Sequence, residues 1–496
     1  MQCDHAGGSQ DQGSEYGLAT EGSAASSIAA RSDRTTFRRL RTRTIVGCAL
    51  PCLVGVLLLS GCGGSGGAGK DTTVGGAASG DSGAGSGNPA AGAGGTASAA
   101  GGSSNAGSAN GGKSSSTAGA AGMTPGMNGG HVQPVTCTPN GERPATAPKL
   151  TPGVWVDITP PGVNKADETT MIGQGLVIDP CNPSVVYWGN TPYDSTYGGL
   201  FRSIDGGATW TKLGDRTLDK DPNDNLTTYL DEPLHMRIDP ADNQHFYAGD
   251  GVRGGTQGFW VTHDGGNNWK RSDNWPKTVG LDIYDVAVDP TDFNHALATF
   301  HSGWPNNVPP GVVETKDGGD TWIVHPPAGD WGAGHSIKFL YDPEKGIGNA
   351  NTWLVGTQGA GYWRTEDAGQ TWKKVSDSGI AHGGGSVYNA ANGYLYASGY
   401  PHNLRSKDNG VTWETLEALG GWTCIFGDGN LLYTGKLNLE DPGEPLMQSP
   451  ETDGVTWTPY NDQKFRNGPY EMALDKINGV IYSSNWTSGV WTLKIK

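Results

Sequence analysis

Two acidic side chains in loop-like segments could supply hydrolytic chemistry. Asp194 lies in segment 191–199 and Asp250 lies in segment 249–253. Hydrolysis of a glycosidic bond needs two carboxyl groups, an acid for the leaving oxygen and a base or nucleophile opposite. Because the two segments occupy similar places in successive repeats, both carboxyls could line one opening. We therefore predict Asp194 and Asp250 as a catalytic pair, with solvated loop acids as the alternative.

Aromatic and histidine side chains in the same kind of segment could bind a sugar. Aromatic rings have an apolar face that can stack on a sugar ring, and histidine can transfer a proton. The alternative is that each tryptophan packs beneath its own loop. No histidine or cysteine spacing matches a metal site, so we predict no metal and no cofactor. The predicted substrate-binding residues are Tyr193, Trp275, Trp304, Trp331, Trp422, Trp486, His301 and His382.

Six copies of one short motif must position these segments. The first copy runs from Ser203 through Asp205 and Gly207 to Trp210. The aspartate should accept hydrogen bonds from turn amides, the glycine should adopt positive φ, and the tryptophan should begin the next strand. Successive aspartates lie 59, 53, 50, 41 and 45 residues apart, a period typical of one four-stranded propeller blade. The six aspartates are Asp205, Asp264, Asp317, Asp367, Asp408 and Asp453, and the last copy is degenerate.

The motif resembles the Asp-box, also called the bacterial neuraminidase repeat. That resemblance implies an all-β propeller in which the motif residues are structural. The segment from Gly173 to Tyr187, followed by Gly198-Gly199, is also similar to a blade of the xyloglucanase family of glycoside hydrolases. This implies glycan hydrolysis with inversion, with an aspartate just before the Gly-Gly pair as one carboxylate. Asp194 is the nearest counterpart, four residues before Gly198.

The chain differs from these families in its architecture. Xyloglucanases of this kind place their cleft between two propellers, and each propeller supplies one carboxylate. This chain is long enough for only one propeller. Sialidases share the motif but have six blades and an arginine triad, and this domain has few arginines. Single-propeller proteins without catalysis, including photosystem assembly factors and sortilin-like receptors, resemble the chain equally.

Strand patterns predict seven blades in a closed ring. Seven pairs of apolar inner strands occur against six motifs, and the last pair ends in the strand from Gly489 to Ile495. Gly153–Ile158 resembles the strand that follows a motif, yet no motif precedes it. We expect it to pair with the last blade and close the ring, which removes open sheet edges. The predicted fold is an all-β, seven-bladed β-propeller over 134–496, preceded by a disordered N-terminal tether.

Composition separates the tether from the propeller. Residues 63–130 hold 24 of the 81 glycines and no Phe, Tyr or Trp, so we predict a Gly/Ala/Ser-rich disordered linker over 63–133. The first 132 residues carry 8 basic and 7 acidic side chains, a net charge of +1, so the remaining residues carry a net charge of −17. Such a charge argues against nucleic acid and acidic lipid as partners. We predict a monomer that binds polysaccharide or another glycan.

The start of the chain predicts export. A basic stretch, an apolar run over 44–59 and the ending Leu59-Ser60-Gly61-Cys62 form a signal, and that ending resembles a bacterial lipobox. We predict residues 1–62 as an N-terminal extension and lipoprotein signal peptide, with Cys62 acylated. A plain signal peptide or signal anchor is the alternative. The expected location is the cell envelope, at the outer membrane or cell surface, with membrane contact through the lipid only.

The other cysteines have structural interpretations. Cys137 with Cys181 could form a disulfide, and Cys424 reads as a buried thiol. The function predicted from the sequence is therefore a surface-anchored propeller that binds polysaccharide and could hydrolyse it as a glycoside hydrolase. The alternative is a non-catalytic propeller for glycan binding, protein binding or assembly.

Overall fold

Apolar inner strands arranged around a central channel organise the molecule. The computed structural model describes residues 141–165, 172–192, 198–214, 225–252, 255–329, 331–380, 386–437 and 442–495. Within β-strands, the side chains of residues 419–423 and 442 are not described. The described residues form seven antiparallel blades in six β-sheets, because two blades share one long strand, so the prediction of an all-β, seven-bladed propeller is confirmed. Cys62 and the predicted linker over 63–133 lie outside the described residues.

Each blade contains four strands, which we number in chain order after β1 (Trp155–Asp157). Blade 1 contains β2 (Gly173–Ile178), β3 (Val186–Asn190), β4 (Gly199–Ser203) and β5 (Thr211–Leu213). Blade 2 contains β7 (Pro233–Ile238), β8 (Phe246–Asp250), β9 (Gly258–Thr262) and β10 (Trp269–Arg271), with β6 (Leu226–Thr227) added at its outer edge. Blade 3 contains β11 (Ile283–Asp289), β12 (Asp292–Phe300), β13 (Val312–Thr315) and β14 (Ile323–His325), with a short 3-10 helix at Pro305–Asn307.

The remaining blades follow the same order. Blade 4 contains β15 (Gly334–Phe339), β16 (Trp353–Thr357), β17 (Gly361–Thr365) and β18 (Lys373–Ser376). Blade 5 contains β19 (Val387–Asn389), β20 (Leu395–Ala397), β21 (Gly399–Ser406) and the first half of β22 (Glu414–Gly427). Blade 6 contains the second half of β22 with β23 (Leu431–Leu437), β24 (Pro442–Pro450) and β25 (Thr458–Arg466). Blade 7 contains β26 (Pro469–Asp475), β27 (Val480–Asn485) and β28 (Gly489–Lys494).

The ring is closed by β1, as the sequence predicts. β1 pairs antiparallel with β28 and becomes the outer strand of blade 7, with Trp155 opposite Leu493 and Asp157 opposite Trp491. The Trp155 side chain is 8% exposed and packs edge-to-face against Phe465, with ring centroids 5.2 Å apart. The start and the end of the propeller are therefore held in one sheet.

The six motif copies form the turns between the third and fourth strands, and we call them the repeat turns. In the first, the Asp205 carboxylate accepts hydrogen bonds from the Thr209 N–H at 2.8 Å and the Thr209 hydroxyl at 2.7 Å. Gly207 has φ of 94°, and its N–H donates to the Ser203 hydroxyl at 2.7 Å. The predicted roles of aspartate and glycine are confirmed. Sequence reasoning missed the serine or threonine at the first motif position as a second acceptor.

The two ends of the propeller differ in their connections. The repeat-turn face carries the repeat turns and the turns between first and second strands. The ligand face carries the connections from second to third strand and from one blade to the next. Apolar clusters fill the spaces between neighbouring blades; one contains Tyr187 and Leu200 of blade 1 with Met236 and Phe246 of blade 2. Blades are therefore stabilised by their neighbours.

Two described cysteines differ in state. Cys181 is disulfide-bonded, and its partner lies outside the described residues. Cys137 also lies outside them, so the Cys137–Cys181 pairing stays a prediction. Cys424 is a free, buried thiol, as expected. None of the described helical residues forms a helix with the length and hydrophobicity needed to cross a membrane.

The closing strand generates a stability prediction. Trp155→Ala should lower the free energy of unfolding by about 3 kcal/mol, because it removes a buried indole from the sheet that closes the ring. Urea denaturation of residues 134–496 measures the change. Val154→Ala is the matched control, since Val154 is 51% exposed and its loss should cost less than about 0.5 kcal/mol. Equal stabilities of the two variants would contradict a stabilising role for this closure.

Candidate functional site

Asp250 is the last residue of β8 and is fully buried. Its Oδ2 accepts hydrogen bonds from the Glu232 N–H at 3.2 Å and the Thr256 hydroxyl at 2.9 Å. Burial, followed by the nearby Glu232 carboxylate, raises the pKa of Asp250 well above its usual range. In blade 1 the corresponding oxygen belongs to Asn190, which accepts the Ile172 N–H at 3.0 Å. The Asp250 carboxyl therefore accepts a backbone N–H at the start of the inner strand of blade 2, as the Asn190 amide oxygen does in blade 1.

Strand register identifies the counterpart of Asp250 in blade 1. Asn190 pairs with Gly199 and Asp250 pairs with Gly258, so Asn190 is the counterpart of Asp250. Asp194 follows β3 and Asp250 ends β8, so both belong to connections from second to third strand, but the two residues are not counterparts in register. A fully buried Asp250 offers no oxygen to a polysaccharide at the surface, which counts against the predicted catalytic pair. The other predicted ligand-face residues Tyr193, Asp194 and His382 lie outside the described residues.

Four of the five predicted tryptophans are buried or half-buried. Trp304, Trp331 and Trp486 are buried, and Trp331 at 0% exposure packs edge-to-face on Trp372 at 5.0 Å. Trp275 is partly buried, and its indole N–H donates to the Gly280 carbonyl within its own loop at 3.2 Å. The expectation of exposed rings is wrong for Trp304, Trp331 and Trp486, and Trp275 is half-buried against Trp322 with ring centroids 4.8 Å apart. Trp422 lies in β22 rather than in a loop, and its side chain is not described.

Tyr400 is an exposed aromatic residue on the ligand face. Its side chain is 60% exposed, at the start of β21 where the second strand of blade 5 passes into the third. Its backbone N–H donates to the Gly379 carbonyl at 2.9 Å, which anchors the residue to the connection from blade 4. His402, two residues on, is partly exposed. Sequence reasoning missed Tyr400 because loop position alone does not reveal exposure.

Polar side chains of the inner strands line the central channel. They surround a cavity of about 140 Å³. Three of them accept a backbone N–H from the inner strand of the next blade, which joins adjacent blades at the channel wall. The lining side chains include His235, Asp285, Ser336, Ser386, Cys424 and Glu471. The three inter-blade bonds are Leu176 N–H to Glu471 at 2.8 Å, Ile337 N–H to Asp285 at 2.9 Å and Ile425 N–H to Ser386 at 2.7 Å.

The buried environment of the channel shifts the pKa values of the ionisable side chains that line it. Burial lowers the pKa of His235 to about 4 and raises the pKa of Glu471 to about 8. His235 Nδ1 lies 3.4 Å from the Asp285 carboxylate and 3.9 Å from that of Glu471. Asp285 pairs with Arg237 at 3.0 Å. At neutral pH the cluster therefore contains a neutral imidazole, a largely protonated Glu471 and one ion pair.

An aromatic cap covers the channel at the ligand face. The hydroxyl groups of Tyr284 in blade 3 and Tyr470 in blade 7 are 2.8 Å apart and hydrogen-bonded. His335 stacks on Tyr284 with ring centroids 4.2 Å apart, and His301 stacks on the same ring at 5.6 Å. His301 Nδ1 also lies 3.2 Å from Asp282. The Tyr284–Tyr470 hydrogen bond thus spans the channel between blades 3 and 7 near its ligand-face end.

The structure brings His235, His301 and His335 together around the cap. It does not assemble a metal centre: among the described residues, no three His, Cys, Asp or Glu side chains are placed to hold a metal ion. Sequence reasoning overlooked Arg237, Asp285 and Glu471. Their signal was available as charged residues within otherwise apolar inner strands.

Comparison with known proteins finds distant relatives. No family model matches the chain. The chain is 25% identical over 245 residues to a xyloglucanase from Paenibacillus sp, covering 44% of this chain and 21% of that protein. It is 26% identical over 226 residues to an oligoxyloglucan-reducing end-specific xyloglucanase from Emericella nidulans, covering 43% and 26%. The chain thus spans about a quarter of the length of these relatives.

Solved structures also align with the chain, at TM-scores below 0.5. An ancestral GH74 enzyme aligns with a TM-score of 0.47 and 16% identity, covering 70% of this chain and 46% of that one. YCF48 from Cyanidioschyzon merolae aligns with a TM-score of 0.47 and 12% identity, covering 68% and 98%. The chain is therefore a seven-bladed propeller with distant sequence similarity to xyloglucanases.

Glu471 generates a pH prediction. Its pKa in the folded state is about 8, above the ordinary 4.5, so the folded protein holds this proton more tightly than the unfolded chain. The stabilisation is complete at low pH and is lost as pH rises from 4.5 through 8. Glu471→Gln cannot ionise, so its stability relative to the natural protein should increase by at least about 1 kcal/mol between about pH 5 and about pH 9.

Urea denaturation at both pH values measures this change. Glu444→Gln is the control, because Glu444 is exposed and its replacement should change stability by less than about 0.5 kcal/mol. A pH-independent difference between Glu471→Gln and the natural protein would show that the channel does not hold the Glu471 proton.

Proposed function

We propose that this propeller binds a neutral polysaccharide of the xyloglucan class across its ligand face, as a lipoprotein anchored to the cell envelope through Cys62. The repeat turns are, in this proposal, Asp-boxes that hold the blades and take no part in binding. Distant similarity to two xyloglucanases supports the class of ligand. The net charge of −16 disfavours acidic polysaccharides, because like charges repel.

The observation that carries the proposal is the exposed Tyr400. A tyrosine that is 60% exposed on a face otherwise lined by buried tryptophans presents a free ring to a flat ligand. Its backbone is fixed by the hydrogen bond to Gly379, so little ordering is needed on binding.

Binding is favoured over hydrolysis by the state of the carboxyl groups. Asp250 is buried and hydrogen-bonded, and Glu471 and Asp285 lie in the channel below the cap. Among the described residues, these carboxyl groups do not form an open pair at the surface. Hydrolysis is the second candidate, favoured by the names of the relatives, and it would depend on Asp194.

Tyr400 generates a binding prediction. Tyr400→Ala should weaken the affinity of residues 134–496 for xyloglucan about 3- to 10-fold, because it removes one aromatic stacking contact. Affinity electrophoresis in gels containing xyloglucan measures the change. Ile204→Ala is the control, since Ile204 is 66% exposed but lies in a repeat turn on the opposite face. The affinity of this variant for xyloglucan should equal that of the natural domain.

A second arm of the same experiment separates binding from turnover. The natural domain should bind xyloglucan without releasing reducing ends. Release that disappears in Asp194→Asn would establish hydrolysis in place of simple binding. Unchanged affinity in Tyr400→Ala, or no affinity for xyloglucan in the natural domain, would overturn the proposed binding site.

A further inference from the structure

A second cavity lies in the channel toward the repeat-turn face. It has a volume of about 260 Å³ and adjoins the smaller cavity at Arg237, Ile337 and Lys338, which line both. It is also lined by Pro290 and Tyr341, which stand in turns at the ends of inner strands on the repeat-turn face. Pro290 is exposed to solvent. This cavity is therefore reached from the face opposite the aromatic cap.

Two cationic side chains, Arg237 and Lys338, line both cavities where they join, and no described acidic side chain pairs with Lys338. Arg237 pairs with Asp285 at 3.0 Å. Lys338 makes no hydrogen bond and no ion pair with any described residue, although it faces the channel. Asp342, the other nearby acid, is paired with Lys345 at 2.8 Å. Withdrawal from bulk water, together with the Arg237 charge, lowers the pKa of Lys338, and a bound anion would relieve this cost.

The walls of the cavity define what kind of anion fits. Ala287, Val288 and Leu395 supply apolar surface on several sides. Asn389 supplies a polar atom: its side-chain amide N–H donates to Asp342 at 3.1 Å, while its Oδ1 is buried without a hydrogen-bond partner. A buried acceptor without a donor costs free energy, which a ligand hydroxyl can recover.

We propose that this end of the channel is a binding site for a small organic hydroxy acid. Its carboxylate lies beside the Lys338 ammonium and the Arg237 guanidinium, its hydroxyl donates to Asn389 Oδ1, and its carbon body packs on the apolar wall. The site is independent of polysaccharide binding at the ligand face, since access is from the repeat-turn face. A cavity of about 260 Å³ accommodates a molecule of this size, not a polymer.

Calorimetric titration with lactate tests the proposal. The natural protein should bind lactate, and Lys338→Met should weaken binding about 10- to 100-fold, the loss expected for one charge-assisted hydrogen bond. Lys338→Arg keeps the charge and should restore most of the affinity. Lys476→Met is the control, because Lys476 is exposed on the surface and its loss should leave lactate binding unchanged.

Two further ligands decide what the site recognises. Lactamide has the same shape without the charge and should bind more weakly than lactate by a similar factor. Inorganic phosphate lacks the apolar body and should also bind more weakly. Equal binding of lactate and lactamide, equal or tighter binding of phosphate, or undiminished binding by Lys338→Met would each overturn the proposal. Lys338→Met removes a cation without a partner, so the variant is expected to fold.

Discussion

The pairing of the three-residue strand β1 with β28 is the interaction on which the rest of the propeller depends. Every blade buries its apolar faces against two neighbours, so blades 1 and 7 need each other as much as any pair does. The first repeat turn reinforces the closure, because the Trp210 indole donates to the Ile158 carbonyl at 2.6 Å directly after β1. A Cβ at Gly207 would collide with Ile158, which explains why this close packing needs glycine at that turn.

Closure of the ring creates a narrow channel, and the channel determines the chemistry of its side chains. His235 and Glu471 shift their pKa values in opposite directions for the same reason, because an enclosed site disfavours the charged form of each. Perturbed carboxyl groups are often taken as signs of catalysis. Here Asp250 shows why that inference needs geometry, since its buried carboxyl does what the Asn190 amide does one blade earlier.

The repeats and the closing strand could be predicted because they depend on short, fixed spacings along the chain. Asp205, Gly207 and Trp210 belong to one turn, and Gly153–Ile158 had the pattern of a fourth strand without a preceding turn. Exposure could not be predicted, since Trp331 and Tyr400 both lie near loops and only packing separates a buried ring from a free one. Residue-by-residue equivalence between blades could not be predicted, because Asp194 and Asp250 share a type of connection while the register aligns Asn190 with Asp250.

We propose that a neutral glycan lies across the ligand face. Hydrogen–deuterium exchange with and without a xyloglucan oligosaccharide tests it most directly, because it reports protection along the whole propeller. Slower exchange is expected at the ligand-face end of β21 around Tyr400, with unchanged exchange in the repeat turns. Protection confined to the repeat turns, or no protection at any blade, would contradict it.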